Sequence, residues 1–220
     1  MVDITISDRL RKSCPYLRLG VIKSEVKYGK DHELLGQEIE ETIKSVQSSL
    51  SRNQIADLPV IRHTREAYLA LGKEPARYRC SAEALLRRAV QEKGLYRINN
   101  VVDIINLISL QFHFSIGCYD YQRLSEPITF DIAQDGETYQ AIGRGTMKIA
   151  QLPVFRDEQG PFGSPTSDSE RTMITRHTRE VLIVIIDFCG TDPLSEAMGK
   201  TCFYLKEYAV FRNDYYSVIV

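Results

Sequence analysis

The sequence has no tryptophan, no long hydrophobic run and no paired cysteine motif. Its five cysteines are odd in number and scattered, so neither a disulfide framework nor a zinc ribbon is expected. The longest apolar run, Val181 to Ile186, is far shorter than the roughly 20 residues that span a bilayer. The N-terminus lacks the basic-then-apolar pattern of a signal peptide. We therefore expect a soluble protein of the cytoplasm without a membrane partner.

The common catalytic and nucleotide-binding motifs are also missing. The sequence contains no G-x-G-x-x-G, Walker loop, H-E-x-x-H or G-x-S-x-G. The four histidines are dispersed without the spacing of metal ligands, so we expect no metal and no other cofactor. The hydroxyl residues between Ser164 and Thr172 have no identifiable neighbouring base, and loop capping is the expected role for most of them.

Length and charge are more informative. A chain of 220 residues with 43% hydrophobic residues can form one domain or two intimate subdomains around a real core. The net charge is −1, yet the segment from Arg62 to Arg97 carries nine basic residues against four acidic ones. This asymmetry suggests one basic face for a phosphate-bearing partner. The alternative is a solvated helix surface with internal ion pairs, which charge counting alone favours.

Hydrophobic periodicity predicts a mixture of strands and helices. Leu17 to Val26 alternates like a strand, and Asp31 to Leu50 has the apolar spacing of a helix packed on a sheet. Val181 to Phe188 is continuously apolar and predicts a central strand covered on both faces. Thr191-Asp192-Pro193 then supplies a cap and a first-turn proline for a helix that runs to about Leu205.

The middle of the chain predicts at least one hairpin and a long loop. Ile128 to Ala133 and Thr138 to Ile142 flank an Asp-Gly pair, a strong hairpin signal. Lys148 to Phe155 predicts a further strand, and residues 156–172, rich in Gly, Pro, Ser and Asp, predict a long functional or disordered connection. Together these elements indicate an α+β fold, a mixed β-sheet with packed helices.

The segment around residue 100 combines polar side chains with core residues. Asn99 or Asn100 can cap a helix, with Asp103 in its first turn. Within that helix a polar stripe that contains Asn106 adjoins an apolar stripe. A buried Asn must find partners for its amide, so Asn106 is either a structural link to a loop or part of a pocket wall. The pattern alone slightly favours the structural role.

Adjacent arginines on the preceding predicted helix should have different tasks. Arg87 lies four residues after Glu83 and therefore on the same helix face, which predicts an ion pair that braces the fold. Arg88 points about 100° away and is free to reach phosphate.

Several of these residues match the pattern of a known family. The match comprises Tyr68, Gly72, Pro75, Tyr78, Ser81-x-Glu83-Ala-Leu-Leu-Arg-Arg88, Ile98-Asn99-x-Val-Val-Asp103-x-x-Asn106, Tyr119-Asp120 and Gly136-Glu137. This pattern resembles the B3/4 module, the tRNA-binding and editing domain of the bacterial phenylalanyl-tRNA synthetase β subunit. The resemblance covers roughly residues 60 to 190. It implies one B3/4-like domain with an N-terminal α/β part (1–60), a core (61–190) and a C-terminal helix and tail (191–220).

The resemblance also implies a function. In the synthetase this domain hydrolyses tyrosine wrongly esterified to the phenylalanine tRNA, and some free-standing relatives act in trans on other mischarged tRNAs. The expected partners are therefore an aminoacyl-tRNA or its acceptor end and an amino acid. An aminoacyl ester is already activated, so a positioned water and donors to the developing oxyanion suffice without a nucleophile. Missing triads and metals are compatible with this chemistry.

The site residues that the resemblance implies fall into three groups. The expected catalytic residues are Asn106, Ser167 and Asp168. The expected substrate-binding residues are Arg88, Asn99, Asp103, Ser109, Gly163, Ser164, Arg171 and Thr172. The expected tRNA-binding residues are Arg77, Arg79 and Arg88. The segment from Gly160 to Thr172 should form the pocket wall opposite Asn106, and its charges suggest a polar or charged amino acid as substrate.

Two positions depart from the synthetase pattern. Ile105 stands where the synthetase has a threonine, and Gly117 stands where it has a histidine. Water placement and tyrosine selectivity therefore do not carry over directly. The leading hypothesis is a stand-alone aminoacyl-tRNA deacylase. The alternatives are a non-catalytic module that binds RNA, an amino acid or a small metabolite, and a hydrolase of small esters or amides unrelated to RNA.

Overall fold

The computed structural model describes residues 2–29, 32–190, 193–209 and 212–220. The helices of these segments are α1 (Asp8–Ser13), α2 (Glu33–Ser49), α3 (Pro59–Ala70), α4 (Ser81–Val90), α5 (Asn100–Phe112) and α6 (Pro193–Tyr208). The strands are β1 (Ile4–Ile6), β2 (Arg18–Glu25), β3 (Ser115–Asp120), β4 (Ile128–Ile132), β5 (Thr138–Ala141), β6 (Gly145–Lys148), β7 (Pro153–Asp157), β8 (Gly160–Gly163), β9 (Glu180–Asp187) and β10 (Arg212–Ile219).

The strands form two four-stranded sheets and one separate hairpin. The first sheet has the order β10-β2-β9-β3 and is antiparallel throughout. The second has the order β1-β4-β7-β8, in which β1 and β4 are parallel and the other neighbours antiparallel. Strands β5 and β6 pair with each other and join neither of the two larger sheets. The fold is α+β with mixed sheets and packed helices, as the sequence predicts.

Strand β9 is the centre of the molecule. Successive side chains of a strand point to opposite faces, and all those from Val181 to Ile186 are buried. Val181, Ile183 and Ile185 pack with the helices in one core, whereas Leu182, Val184 and Ile186 pack against the second sheet in another. This two-sided burial explains the continuously apolar sequence and confirms the predicted central strand.

Helix α5 carries the polar residues of interest into the interior. It packs against α2, α4, α6 and β3, so most of its surface is covered. The Asn99 side chain caps its N-terminus by accepting a hydrogen bond from the Val102 amide at 3.0 Å. Asn100 instead joins two other segments, because its amide binds the backbone of Gly29, Lys27 and Tyr208.

The predicted hairpin across Asp135-Gly136 is wrong. Strand β4 pairs with β1 and β7, and β5 pairs with β6, so the strands on either side of this turn lie in different sheets. The turn signal is local, whereas the partners of β4 are set by which sheet buries Ile128 and Phe130.

The segment after β6 also differs from its prediction. Lys148 to Phe155 is not one strand, since β6 ends at Lys148 and β7 begins at Pro153. Residues 156–172 are not one long loop, because β8 pairs with β7 and a short 3-10 turn follows at Glu170–Thr172. The proposed caps at Asp31 and at Thr191-Asp192 lie outside the described residues. Within the described segments, no helix has both the length and the apolar character needed to cross a membrane.

Candidate functional site

A cavity of about 280 Å³ opens between α5, β3 and the loop that follows β8. Its lining residues are Ser81, Ile98, Val102, Ile105, Asn106, Ile116, Cys118, Ile142, Asp168, Met173 and Ile174. Two of the predicted catalytic residues, Asn106 and Asp168, therefore lie on the same cavity although sixty-two positions separate them in the chain.

Asn106 is available to a ligand. Its side chain is partly accessible at the cavity wall and makes no hydrogen bond to any residue in the described part of the chain. An amide that linked two elements would show such bonds, as Asn100 does with the backbone of Gly29 and Lys27. The structural role that the sequence pattern slightly favoured is thus absent from this geometry. The amide of Asn106 retains a donor group and an acceptor for a ligand or a water.

Asp168 reaches the cavity from the loop after β8 and is held by Tyr119 of β3. The Tyr119 hydroxyl donates to Asp168 Oδ1 at 3.0 Å. Tyr119 is fully buried, and its ring lies edge-on to Phe162, with 4.9 Å between the ring centroids. No Lys, Arg or His of the described segments forms an ion pair with the Asp168 carboxylate. The carboxylate therefore depends on hydrogen bonds for its stabilisation.

Two glycines allow Tyr119 to reach Asp168. A Cβ atom added at Gly117 or at Gly163 would collide with the Tyr119 hydroxyl and ring. The tyrosine thus passes between two backbone segments that carry no side chain at the point of contact. Gly117 stands where the synthetase pattern has a histidine, and in this chain the space next to it is filled by the Tyr119 hydroxyl. Gly163, predicted to bind substrate, serves to accommodate Tyr119.

The environment of Asp168 shifts its protonation equilibrium. Burial raises the pKa of the Asp168 carboxyl to about 7, because a charge in an apolar cavity loses its hydration. Hydrogen bonds from Tyr119 and from the backbone amides of Cys118 and Ser164 oppose this shift. Burial together with the Asp168 charge also raises the pKa of Tyr119, so this phenol remains a hydrogen-bond donor at neutral pH.

The loop that carries Asp168 is rigidly cross-linked. The Ser167 carbonyl accepts hydrogen bonds from the Tyr139 hydroxyl at 2.5 Å and from the Ser164 hydroxyl at 2.9 Å. The Thr166 hydroxyl lies 2.8 Å from the hydroxyl of Tyr68 and donates to the carbonyl of Tyr78 at 2.9 Å. Ser164 and Ser167 are therefore parts of the loop's internal bonding and do not line the cavity. The loop holds Asp168 in a fixed position.

Other predicted substrate-binding residues lie away from the cavity. Asp103 accepts hydrogen bonds from the Ile98 amide at 3.0 Å and from Arg97 at 2.7 Å, and Ser109 donates to the Phe114 carbonyl at 2.7 Å. Arg171 binds both carboxylate oxygens of Asp157, at 3.0 and 2.8 Å. Thr172 is buried in the 3-10 turn, and Asn99 caps α5. These residues shape the elements around the site without reaching its interior.

The charged residues of the loop after β8 do not make the lining of the 280 Å³ cavity predominantly polar. Arg171 is engaged with Asp157, and Glu170 is exposed and does not line the cavity. Apart from Ser81, Asn106 and Asp168, the lining consists of apolar side chains and Cys118. The polar or charged amino acid suggested by the loop sequence is therefore not what this lining suits. The described residues also contain no cluster of three His, Cys, Asp or Glu side chains that could hold a metal ion.

A second, strongly basic cavity of about 440 Å³ lies on the outer side of α4. It is lined by Arg52, Arg79, Ala84, Arg87, Arg88, Gln91, Lys93 and Arg144, with no acidic residue among them. Six cationic side chains around one concave surface create a positive potential that attracts phosphate groups. Arg79 and Arg88 are predicted tRNA-binding residues and lie here, whereas Arg77 does not line this cavity.

One buried carboxylate organises part of this surface. Glu83 is fully buried and pairs with Arg87 at 2.8 Å, Arg65 at 3.0 Å and Arg79 at 3.3 Å. The Arg87 pair is the helix brace that the sequence predicts. Arg88 instead donates to the carbonyls of Gly94 and Lys93, and its guanidinium lies 4.1 Å from the ring centroid of Tyr96. One carboxylate faces three arginines, so a net positive charge remains.

The two cavities share walls. In α4, Ser81 lines the apolar cavity and Ala84, less than one turn further along, lines the basic one. In the turn after β5, Ile142 lines the apolar cavity and Arg144 lines the basic one. Two separate elements therefore contribute to both cavities, which places the cavities side by side.

Some site residues were missed at the sequence level. The role of Tyr119 depends on two glycines that are far apart in sequence, and Arg52 and Arg144 lie outside the basic segment from Arg62 to Arg97. For Tyr119, the glycines at 117 and 163 are a signal only when the contact between β3 and β8 is known.

Comparison with known proteins places the chain in a family. The family model described as the B3/4 domain matches residues 63–192. The phenylalanine–tRNA ligase β subunit of Fusobacterium nucleatum subsp. nucleatum is 24% identical over 106 residues, which cover 47% of this chain and 13% of that protein. An N-terminal fragment of the phenylalanyl-tRNA synthetase β subunit from Pyrococcus horikoshii aligns with 97% of this chain and 55% of that fragment, at 15% identity and a TM-score of 0.47. The chain thus spans a small part of the ligase subunit that it matches. Since the family model covers more than half of its residues, the chain belongs to the B3/4 domain family.

Proposed function

We propose that this protein is a trans-acting aminoacyl-tRNA deacylase. It hydrolyses the ester between an amino acid and the 3′-terminal ribose of a tRNA, with the aminoacyl group in the apolar cavity and backbone phosphates in the basic cavity. The observation that carries this proposal is that α4 and the turn after β5 each contribute residues to both cavities. A ligand with an acyl group at one end and phosphates at the other matches that arrangement.

The relatives support an RNA partner. The Fusobacterium relative is, by its name, a subunit of a tRNA ligase. The segment that the B3/4 family model matches includes all of α4 and α5. The six cations of the basic cavity supply the contacts that phosphodiesters need. A hydrolase of small esters would have no use for this surface. A phosphate-bearing substrate therefore accounts for both cavities.

The chemistry needs only a water, a base and a donor. Asp168, with its carboxyl pKa near neutrality, accepts a proton from a water molecule in the cavity. The water oxygen forms a bond to the ester carbonyl carbon, and the Asn106 amide donates a hydrogen bond to the developing oxyanion. The bond between that carbon and the ribose oxygen then breaks, and the ribose oxygen takes up the proton from Asp168. The products are a free amino acid and a tRNA with its terminal hydroxyl restored.

Ser167 has no direct part in this mechanism. Its carbonyl is bound by Tyr139 and Ser164, so it fixes the loop on which Asp168 stands. We assign it a positioning role. Arg79 and Arg88 keep their predicted role in tRNA binding, joined by Arg52 and Arg144.

The test measures deacylation and tRNA affinity with a panel of mischarged tRNAs. In the double variant Arg52→Ala/Arg144→Ala, we expect the Kd for tRNA to rise about 10-fold or more and the slope of log K against log salt to decrease in magnitude by about 1.5, because two phosphate contacts are lost. The matched control is Arg11→Ala/Lys12→Ala, which removes the same charge from α1, away from both cavities.

Two results would contradict the proposal. If both double variants weaken tRNA binding equally, the basic cavity is not the tRNA site. If the wild-type protein neither binds tRNA nor hydrolyses any member of the panel, the deacylase function is refuted.

A further inference from the structure

The side chains that line the apolar cavity are mostly aliphatic. Seven of its eleven lining residues are aliphatic or methionine: Ile98, Val102, Ile105, Ile116, Ile142, Met173 and Ile174. None is aromatic, so the cavity offers no ring for stacking or edge contacts. A cavity of about 280 Å³ lies just below the roughly 300–1,000 Å³ typical of drug-sized ligand sites, which suits a group of amino-acid size.

The rim of this cavity is apolar as well. Ile98 is 53% exposed, Ile142 43% and Met173 36%. Isolated exposed hydrophobic residues are ordinary, but three of them around one opening form an apolar patch that is costly to leave in water. Each of the three comes from a different segment of the chain, so local sequence does not explain their convergence. An apolar ligand that enters the cavity would cover this rim.

The polar groups of the cavity are too few to read a polar side chain. An ionised carboxylate offers about four acceptor positions. The Tyr119 hydroxyl already donates to one oxygen of Asp168, Oδ1, at 3.0 Å. In the proposed mechanism the water takes a further position on Asp168, and the Asn106 amide is used by the ester oxygen. The chain thus supplies its own tyrosine hydroxyl to the carboxylate that could otherwise bind a hydroxyl of the substrate.

The two departures from the synthetase pattern act in the same direction. Ile105 lines the cavity and presents a branched aliphatic side chain where the pattern has a hydroxyl. At Gly117, where the pattern has a histidine, the space that a Cβ atom would need is filled by the hydroxyl and ring of Tyr119. Both changes remove a polar group that could interact with a substrate side chain.

From these observations we infer that the substrate of this site carries an aliphatic amino acid of about valine to isoleucine size, either proteinogenic or an analogue. The reaction in this inference rests on the proposed function. Recognition of the aliphatic side chain by the cavity does not depend on it. Burial of a branched aliphatic side chain against this lining gains hydrophobic free energy. A hydroxyl or a carboxylate there would lose hydration, and Ser81 is the one polar lining residue that the proposed mechanism leaves unassigned.

The experiment uses one tRNA, acylated in turn with alanine, valine, isoleucine, serine, aspartate and tyrosine, so that the RNA contacts stay constant. We expect kcat/KM for the valyl and isoleucyl esters to exceed that for the seryl, aspartyl and tyrosyl esters by 10-fold or more. The alanyl ester should fall about 100-fold or more below the valyl ester, because it lacks two carbons and each missing methylene costs about 10-fold or more in such a pocket. In parallel, thermal unfolding is recorded with each free amino acid at equal concentration.

Two variants address the lining directly. Ile142→Ser changes an exposed rim residue and should fold normally, while lowering kcat/KM for the isoleucyl ester several-fold and leaving that for the alanyl ester nearly unchanged. Ile105→Thr should reduce the isoleucyl preference in the same way. The control is Leu69→Ser on α3, which alters another exposed aliphatic residue outside the cavity lining and should leave all ratios unchanged.

The outcomes separate the two proposals. Hydrolysis that is equal for all esters, or faster for the polar ones, overturns the aliphatic specificity and leaves the deacylase function standing. No hydrolysis, with a rise in Tm caused only by valine, isoleucine or similar amino acids, refutes the deacylase function and supports the side-chain inference. Neither hydrolysis nor stabilisation by any amino acid refutes both.

Discussion

Replacement of Tyr119 by phenylalanine tests how the protein tunes Asp168. The change removes the hydroxyl that donates to Asp168 Oδ1 at 3.0 Å and keeps the ring that packs on Phe162. A hydrogen bond to a charged group contributes about 1.5–3 kcal/mol. Since 1.36 kcal/mol corresponds to a tenfold change in the protonation equilibrium, the Asp168 pKa should rise by about one to two pH units from its value of about 7.

The sign of the effect on catalysis follows from the role of Asp168 as proton acceptor. The hydrogen bond stabilises the ionised carboxylate, so its loss favours the protonated form, which cannot accept a proton from water. The acidic limb of the kcat–pH profile should therefore move to higher pH. At pH 7 the rate of Tyr119→Phe should fall by about 5- to 50-fold and should recover towards that of the wild type above pH 9.

The assay is single-turnover deacylation of one aminoacyl-tRNA between pH 5.5 and 9.5, with rates corrected for spontaneous ester hydrolysis. Tyr139→Phe is the matched control, because it removes a buried tyrosine hydroxyl that binds the Ser167 carbonyl in the same loop without touching Asp168. A limb that stays in place in Tyr119→Phe, or moves equally in both variants, would refute the reasoning.

Three further predictions concern stability. The pKa of Asp168 is raised in the folded state, so its burial costs stability as pH rises from about 4 to 7. Asp168→Asn should therefore gain stability relative to the wild type over that range, by roughly 4 kcal/mol at most, and a flat difference between urea midpoints would contradict this. Gly117→Ala should lower the free energy of unfolding by about 1–3 kcal/mol, because its Cβ collides with Tyr119. The control is Gly199→Ala in α6, where the added Cβ meets nothing within 4 Å, and it should be neutral or stabilising by up to about 1 kcal/mol. Equal effects of the two variants in denaturant unfolding would exclude the collision. Glu83→Ala leaves three arginines without their buried partner and should lower the free energy of unfolding by about 3–5 kcal/mol. The control Glu66→Ala removes the exposed pair with Arg62 and should cost about 1 kcal/mol or less. Similar costs for the two variants would argue against the central role of Glu83.

The sequence predicts those parts of the fold that depend on local periodicity. The strand at β9 and the helix at α2 follow from apolar spacing, because two-sided burial and one-sided burial leave different patterns. The pairing of β4 does not, since no local signal identifies β1, more than a hundred residues before it, or selects β7 over the nearer β5. The Asp135-Gly136 pair therefore predicts a hairpin that the sheets do not form.

The candidate site likewise combines short-range features that the sequence predicts with long-range features that it does not. The cap at Asn99 and the Arg87–Glu83 pair are short-range contacts that residue spacing reveals. The location of Asn106 and Asp168 on one cavity is a long-range feature, which the family resemblance indicated and periodicity could not. The passage of Tyr119 between Gly117 and Gly163 could not be anticipated, because it depends on two strands, β3 and β8, that meet only in the folded chain.

The variant Asn106→Ala tests the central claim most directly, when deacylation rate, tRNA affinity and urea midpoint are measured on the same preparation. The Asn106 side chain has no hydrogen-bond partner among the described residues, so we predict an unchanged urea midpoint and an unchanged Kd for tRNA. The loss of a donor to the transition state should lower kcat about 10²-fold. The matched control is Gln111→Ala, which removes an amide from the same helix outside the cavity and should leave kcat unchanged. A stable Asn106→Ala variant with full activity would contradict the account.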